Sequence, residues 1–374
     1  MAATGIGVSP LFDPRDFLIP EGVTHVCAGG ETPCLRGHAA ALSRYLHDKS
    51  NGMTGRVAQE AQVARARAGI ARAWGTDTGS IGFVGNVAEG VSIVSDSIDW
   101  RDGDNICVDT NEYPSVVGPF LIRRQPRVAL RQAQGTGPDR FAAQVDERTR
   151  VIGVSYVSYL TGERQDLTAL RTLADKAGAM LIVDFTQAAG YLPLEAAVAD
   201  FAFSACYKWL LGITGVAAAY WNRDRQPAWS PASAGWYSFE PGSRGYDPPP
   251  PLRDDAMRFT RGNPAHGPVY VLADGLDYLA RHGIPAIQAH VQTLTTALLE
   301  RLGELHIPST TPADPARHGA SVCVASPRAA DIVDALAASG IYAWNGHGRV
   351  RFSFHGYNAM ADVDRIAAAL KSIW

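Results

Sequence analysis

The sequence predicts an α/β protein built on a mostly parallel sheet, and three observations carry that prediction. From about Ser80 to Lys208, short apolar runs alternate with amphipathic stretches, strand then helix, as a parallel sheet with covering helices requires. Two of those runs, Met180 to Phe185 and Phe201 to Ala205, are apolar along almost their whole length, the pattern of strands buried on both faces. Asp184 leaves the first and Lys208 follows the second, so a carboxylate and an amine converge at one edge of the sheet. Ligands of open α/β sheets sit beyond that carboxyl edge. For an isolated Asp and Lys, a structural ion pair at strand ends is the plainer reading.

Composition sets the outer bounds. A chain of 374 residues can bury a large core and is expected to form a large domain and a smaller one. The formal net charge is −3 with no basic block, which speaks against nucleic acid or an anionic membrane surface as partner. No apolar run approaches membrane-spanning length, and the start, MAATGIGVSP, lacks a basic region before an apolar stretch, so a cytoplasmic enzyme is expected. The five cysteines are odd in number and scattered, and all are read as reduced thiols. No metal is expected, and no internal repeat is visible.

The elements follow in order. The first segment, to about Gly30, has loop chemistry. Arg56 to Trp74 reads as a helix with Val57, Ala61, Ala64, Ala68 and Ala71 on one stripe, and Arg65, Arg67 and Arg72 on its solvated face. Ser80 to Val84 is a strand, Gly85-Asn86 a turn, and a helix begins at Val87; such a junction leaves backbone N–H groups free for a phosphate. Asn105 to Asp109 is a strand, followed by TNEYPSVV, which alone reads as a turn fixed by Pro114. Val151 to Tyr156 is a strand. Asp166 caps a helix whose face is Leu170, Leu173, Ala174 and Ala177, and Gly178 ends it. Gln226 to Asp255, crowded with Pro, Gly and aromatics, is a long loop. From Val269 the chain reads as helices and short strands, with a helix over Ile287 to Leu305, strands at Ala320 to Ala325 and Ile341 to Trp344, and a last helix carrying Val363, Ile366, Leu370 and Ile373 on one face.

An apolar surround lowers the pKa of a lysine and frees its amine to condense with a carbonyl. Beside an acid, that chemistry suits pyridoxal 5′-phosphate (PLP), whose pyridine nitrogen the acid keeps protonated. VDFTQAAG followed by ADFAFSACYKWLLG resembles the class V aminotransferase family of fold-type-I PLP enzymes, which includes cysteine desulfurases, selenocysteine lyases, kynureninases and isopenicillin N epimerases. The shared pattern is an acid, two residues, Gln or His, a small-residue run, then A-D-F with a lysine eight positions past that Asp; Asp200 and Lys208 keep the interval.

The resemblance implies a large domain with a mostly parallel sheet of the seven-stranded type and a smaller C-terminal α+β domain. Boundaries are expected at 1–30 for a segment near the active-site mouth, 31–265 for the PLP-binding domain and 266–374 for the small domain. It implies Lys208 as the Schiff-base lysine and catalytic acid–base, Asp184 as partner of the pyridine nitrogen, Gln187 at the ring hydroxyl, Tyr207 at the phosphate and Tyr113 stacked on the ring. Val87 and Ala88 stand where the family usually has a Thr pair, so only their backbone amides would reach the phosphate. Trp236, in AGWYS, would either direct its indole N–H at the phosphate or pin the loop to the core. RFTRGNP resembles a turn that reaches the phosphate of the neighbouring subunit, with Asn263 replacing Thr, which implies a homodimer with shared sites. RVRFSFHGYN places Arg351 as the clamp for the substrate carboxylate, with Arg349 the runner-up.

The reaction expected is lyase cleavage of a C–S or C–C bond at the β position of an amino acid, with transamination or epimerisation as alternatives and a non-catalytic PLP binder as the reading from another class. A desulfurase that forms a persulfide on a loop cysteine is not expected, because Gly346-His347 runs almost directly into Arg349 with no cysteine between. Cys206, beside the lysine motif, is expected to point into the core.

Overall fold

The computed structural model describes residues 7–122, 126–245 and 247–374; the first six positions of the N-terminal segment and Tyr246 of the 226–255 loop lie outside them. A two-residue strand, β1 (Thr24–His25), precedes two helices, α1 (Gly37–Ser50) and α2 (Gly52–Ala73). Alternation follows: β2 (Ile81–Val84), α3 (Val87–Ser97), β3 (Asn105–Asp109), α4 (Pro114–Leu121), β4 (Ala129–Ala133), α5 (Asp139–Ala142), β5 (Thr149–Ser155), α6 (Leu167–Ala177), β6 (Met180–Asp184), β7 (Phe201–Ala205) and β8 (Ala217–Trp221). Two long helices, α7 (His266–His282) and α8 (Ile284–Glu304), lead to β9 (Ser321–Ala325), α9 (Ala329–Ala338), β10 (Ile341–Tyr342), β11 (Trp344–Gly346), β12 (Arg349–Ser353) and α10 (Met360–Ile373).

Strands β2 to β8 form one seven-stranded sheet in the order β2-β8-β7-β6-β5-β3-β4. Only β8 runs against the rest, pairing antiparallel with β2 and β7. Side chains alternate across it as the pleat demands. Leu181 and Val183 pack on one face with Val63 and Ile70 of α2 and Leu170 of α6. Ile182, Phe201 and Phe203 pack on the other with Val91 and Val94 of α3 and Phe120 of α4. Both faces are therefore covered, which explains the unbroken apolar runs. The smaller C-terminal domain folds around β11-β12-β9, an antiparallel sheet whose core is Val322, Val324, Val350 and Phe352 against Leu294, Leu298, Ile332 and Ile366.

Several expectations hold locally. Asp166 accepts the Ala169 amide at 2.9 Å, and Gly178 ends α6 in the left-handed region at φ 68°. Others need correction. The face of α2 that is buried runs through Gly55, Gln59, Val63, Ala66, Gly69 and Ile70, while Val57 is exposed. The expected stripe is displaced because α2 meets α1 and α7, and α1 itself was not foreseen. Two arginines of α2 expected on a solvated face are engaged: Arg65 pairs with Asp274 and Asp277, and Arg67 with Asp255. The strand expected over Ile341 to Trp344 is two strands, β10 pairing in parallel with β1, and β11 turning back onto β12.

The A-D-F motif has a structural explanation. Asp200 accepts the Leu181 amide at 2.8 Å, Gln226 Nε2 at 2.8 Å and Arg171 Nη1 at 2.5 Å. It anchors the start of β7 to β6, and the five residues of β7 then carry the chain to Lys208 beyond the opposite end of the sheet.

Candidate active site

The carboxyl ends of β3, β5, β6 and β7 meet at one edge. Register sets Ser155 of β5 beside Asp184 of β6, and Asp184 beside Phe203 of β7. The turn after β6 is pinned by Thr186, whose amide donates to Asp184 Oδ1 at 2.8 Å and whose hydroxyl accepts the Ala205 amide at 2.9 Å. That second bond ties the Asp184 turn to the strand end that presents Lys208.

Lys208 is buried, and its Nζ lies 5.7 Å from the centre of the Tyr113 ring and 5.4 Å from that of Tyr207. Burial, with Arg351 adding to it and Asp184 opposing, brings the amine down to about 8. Burial likewise raises the Asp184 carboxyl above its ordinary range, against the pull of Thr186 and Lys208. The thiol of Cys206 points into the core as expected and is pushed up to about 12 by burial.

Arg351, on β12, brings the small domain into the site. It is 2% exposed, its Nη1 donates to the backbone carbonyl of Tyr159 at 2.9 Å, and its Cζ lies 4.3 Å from the Trp344 ring centre. Its Nε has no partner, and among the described residues no carboxylate lies within ion-pairing distance. Burial lowers its pKa. A buried guanidinium without a counter-charge is costly unless a ligand supplies one. Arg140 shows the contrast: equally buried, it pairs with Asp109 at 2.6 Å. Arg349, the runner-up, is half-buried and donates to the carbonyl of His347.

The N-terminal segment packs against Gln187 and Arg351. Cys27 lies opposite Ser353 in a parallel bridge, and the turn that follows lays Gly29 against the large domain. A Cβ on Gly29 would lie 2.7 Å from Ser353 Oγ, 3.0 Å from Gln187 Oε1 and 3.3 Å from Arg351 Cζ, so the close approach requires glycine. Gln187 donates to the Gly29 carbonyl at 2.8 Å and accepts the Trp209 indole N–H at 3.1 Å, tying this segment to the residue after Lys208.

Val87 and Ala88 are the first residues of α3, after Asn86, whose side chain caps the Glu89 amide at 2.9 Å; their own amides point off the helix start. Trp236 and Asn263 stand elsewhere. Both line a surface cavity with Arg56 and Glu60 of α2, and Lys208, Asp184 and Tyr113 are not among its walls. Trp236 is 63% exposed, so it does not pin the loop to the core.

Two neighbours escaped the sequence reading. Glu112 accepts the amide of Ser155 at 2.8 Å and that of Tyr113 at 2.6 Å, and burial raises its carboxyl to about 7. Tyr159, nearly buried, packs edge-on against Tyr113 with ring centres 4.9 Å apart. Glu112 was visible in TNEYPSVV but indistinguishable from a polar turn residue; SYLTGERQDL resembles a kynureninase segment, N-Y-R-T-G, but that likeness gave Tyr159 no role.

These residues fit PLP. A depressed amine beside a carboxylate, an aromatic ring beside the amine, free amides at a helix start and an unpaired guanidinium supply what an aldehyde, a pyridine nitrogen, a ring face, a phosphate and a substrate carboxylate need. Among the described residues no helix is long and apolar enough to cross a membrane.

Comparison with known proteins agrees with this geometry. A probable cysteine desulfurase of Methanothermobacter thermautotrophicus is 26% identical, over 96% of each chain. The apo structure of a cysteine desulfurase from Thermococcus onnurineus superposes with a TM-score of 0.86 at 21% identity, covering 96% of each chain. A complex of the cystine C–S lyase C-DES with its product cysteine persulfide superposes at 0.85 with 22% identity, covering 94% of this chain and 98% of that one. The desulfurase names correct the expectation set against a persulfide-forming desulfurase. The model of the aminotransferase class-V family matches residues 37–366, and the chain belongs to that family.

Proposed function

We propose that this protein is a PLP-dependent lyase that cleaves the Cβ–S bond of a cysteine-derived amino acid. The observation that carries the reading is the pair Lys208 and Arg351: a buried amine brought down to about 8 and a buried guanidinium lacking a counter-charge act on one another across the space that Gly29 closes. When bound, PLP supplies the electron sink that weakens bonds at the substrate α-carbon. Lys208 would hold the cofactor through its amine, Asp184 would keep the pyridine nitrogen protonated, and Tyr113 would stand beside a ring face. Gln187 and Tyr207 would serve the ring hydroxyl and phosphate, with the amides of Val87 and Ala88. Arg351 would take the substrate carboxylate through its free Nε edge and so turn the α-carbon towards the Lys208 amine, which would remove its proton.

In this reading the enzyme is a homodimer, with Asn263 and Trp236 facing the phosphate of the second copy. The exposed Leu46, Met53 and Val57 on α1 and α2, of which Met53 lines the same cavity as Trp236, support that assembly. Residues 1–30, 31–265 and 266–374 act as lid segment, cofactor domain and small domain.

Desulfuration of cysteine is the second reading, favoured by the names of the relatives. Its obstacle is local. His347 and Gly348, at φ 52° and 67°, form a two-residue turn between β11 and β12, leaving no loop and no cysteine there. In that case Cys27, close enough to Lys208 and Arg351 to act on both, would be the thiol that takes the sulfur.

Borohydride reduction of the holoenzyme followed by digestion should fix the cofactor on the peptide containing Lys208; a tag elsewhere refutes the assignment. Mass spectrometry of products then separates the readings. Thiol with pyruvate and ammonia indicates the lyase, whereas alanine with protein-bound sulfane sulfur indicates the desulfurase.

A further inference from the structure

An aromatic wall runs outward from Lys208. Tyr113 stands beside Nζ, Tyr159 meets it edge-on, and Tyr159 in turn meets the Trp344 ring at 6.4 Å and the His347 ring at 5.9 Å, both near perpendicular. The four rings come from the cap of α4, the loop after β5 and the β11–β12 hairpin. Tyr113 is half-buried and Tyr159 buried, while Trp344 is half-buried and His347 exposed. The line of rings thus runs from the buried amine to the surface.

Arg351 stands at the foot of this wall, bonded to the Tyr159 carbonyl and lying over the Trp344 ring. A carboxylate held there brings the remainder of its molecule within reach of the rings of Tyr159 and Trp344. The hairpin fixes the outer part: Gly346 leaves the indole its room, since a Cβ at that position would lie 2.3 Å from it. The wall also has a charge sense. The Arg351 guanidinium, which has no counter-charge, bonds the Tyr159 carbonyl and lies over Trp344, while the nearby Glu112 carboxylate is taken up by the Ser155 and Tyr113 amides, so a cationic substituent would be repelled where a neutral ring is accepted.

We propose that the preferred substrate carries a flat, uncharged aromatic ring on its sulfur, making it an S-aryl conjugate of cysteine. This rests on the lyase reading above. The reaction balances without an oxidant. The α-proton is removed, the Cβ–S bond breaks, and its electron pair leaves with the sulfur, which takes up a proton as the free aryl thiol. The three-carbon enamine that remains takes up water to give pyruvate and ammonia. A small S-substituent would leave the wall wet, whereas burying a phenyl ring against it favours the aryl conjugate by about 10- to 100-fold.

The test compares the holoenzyme on S-phenyl-L-cysteine, S-methyl-L-cysteine and S-(2-aminoethyl)-L-cysteine. In parallel, their uncleavable carbon isosteres homophenylalanine and norvaline are titrated by the cofactor's absorbance. The expected result is kcat/KM at least about 10-fold higher for the phenyl conjugate than for either of the others, with homophenylalanine binding tighter than norvaline by a similar factor. Tyr159→Leu keeps the backbone carbonyl that Arg351 uses and should collapse both ratios. Trp344→Leu and the surface variant His347→Asn should reduce them, and Tyr159→Phe should restore them. Equal affinity for the two isosteres, or a preference that survives both Tyr159→Leu and Trp344→Leu, overturns the proposal. If no conjugate releases thiol while homophenylalanine still binds preferentially, the lyase reading falls and the aromatic specificity stands.

Discussion

Ser155 gives both its amide, at 2.8 Å, and its hydroxyl, at 2.5 Å, to the carboxylate of Glu112. Ser155 is the residue of β5 in register with Asp184, so Glu112 reaches Asp184 through one strand and Tyr113 through the amide that donates to it.

The first prediction concerns the charge of Glu112. Its carboxyl rises from 4.5 to about 7, chiefly through burial, so between those values the folded state binds more protons than the unfolded one. Its contribution to stability is full below about 4.5 and is lost as the pH rises through 7. One such proton gives a slope of up to about 1.4 kcal/mol per pH unit. Glu112→Gln should flatten the urea-derived stability curve between pH 5 and 7. An unchanged slope would remove Glu112 as its source.

Lys208 titrates in the opposite sense. Its amine falls from 10.5 to about 8, so an ionised Lys208 destabilises the apoprotein fully below 8, and the penalty is relieved as pH rises towards 10.5. Lys208→Met should therefore stabilise the apoprotein at pH 7 by about 2 to 3 kcal/mol, with the gain shrinking above pH 8. Thermal melts of both apoproteins across that range check it, and a less stable variant at pH 7 would contradict it.

Arg351→Lys retains a charge but loses the planar fork and its stacking on Trp344. KM should rise about 30- to 100-fold with a much smaller change in kcat, as expected for a group that binds the carboxylate equally in ground and transition states. A fall in kcat at constant KM would assign Arg351 another role.

Gly29→Ala places a methyl group against Ser353, Gln187 and Arg351 at once. Overpacking of this kind costs about 1 to 3 kcal/mol, and displacing Gln187 and Arg351 should also raise KM. Denaturant melts and steady-state kinetics measured together test it; a variant indistinguishable from the parent in both would show that the lid segment does not press on the site.

What could be read along the chain and what could not divides on physical grounds. Asp184 and Lys208 were legible because a buried parallel strand leaves a continuous apolar run, and the residue that ends it lies at a known edge. Asp166 and Gly178 were legible because caps are local chemistry. The buried face of α2 was misplaced because its stripe is drawn mostly in alanine, which packs against whatever arrives, and the arriving surfaces are α1 and α7. The aromatic wall was legible only at Tyr113: Tyr159 meets it through the folding of the large domain, and Trp344 joins them only when the small domain docks. Gln187 was singled out as a cofactor contact, but its bonds to Gly29 and Trp209 depend on a segment far away in the chain.

Strand Thr24–His25 pairs with Ile341–Tyr342, and the glycine turn over the site hangs from that pairing. The seven-stranded sheet that presents Asp184 and Lys208 takes no strand from that pairing. Anchoring of the turn beside Arg351 therefore rests on the small domain, and loosening the contact of Thr24–His25 with Ile341–Tyr342 would free the turn while leaving the sheet that carries the lysine intact.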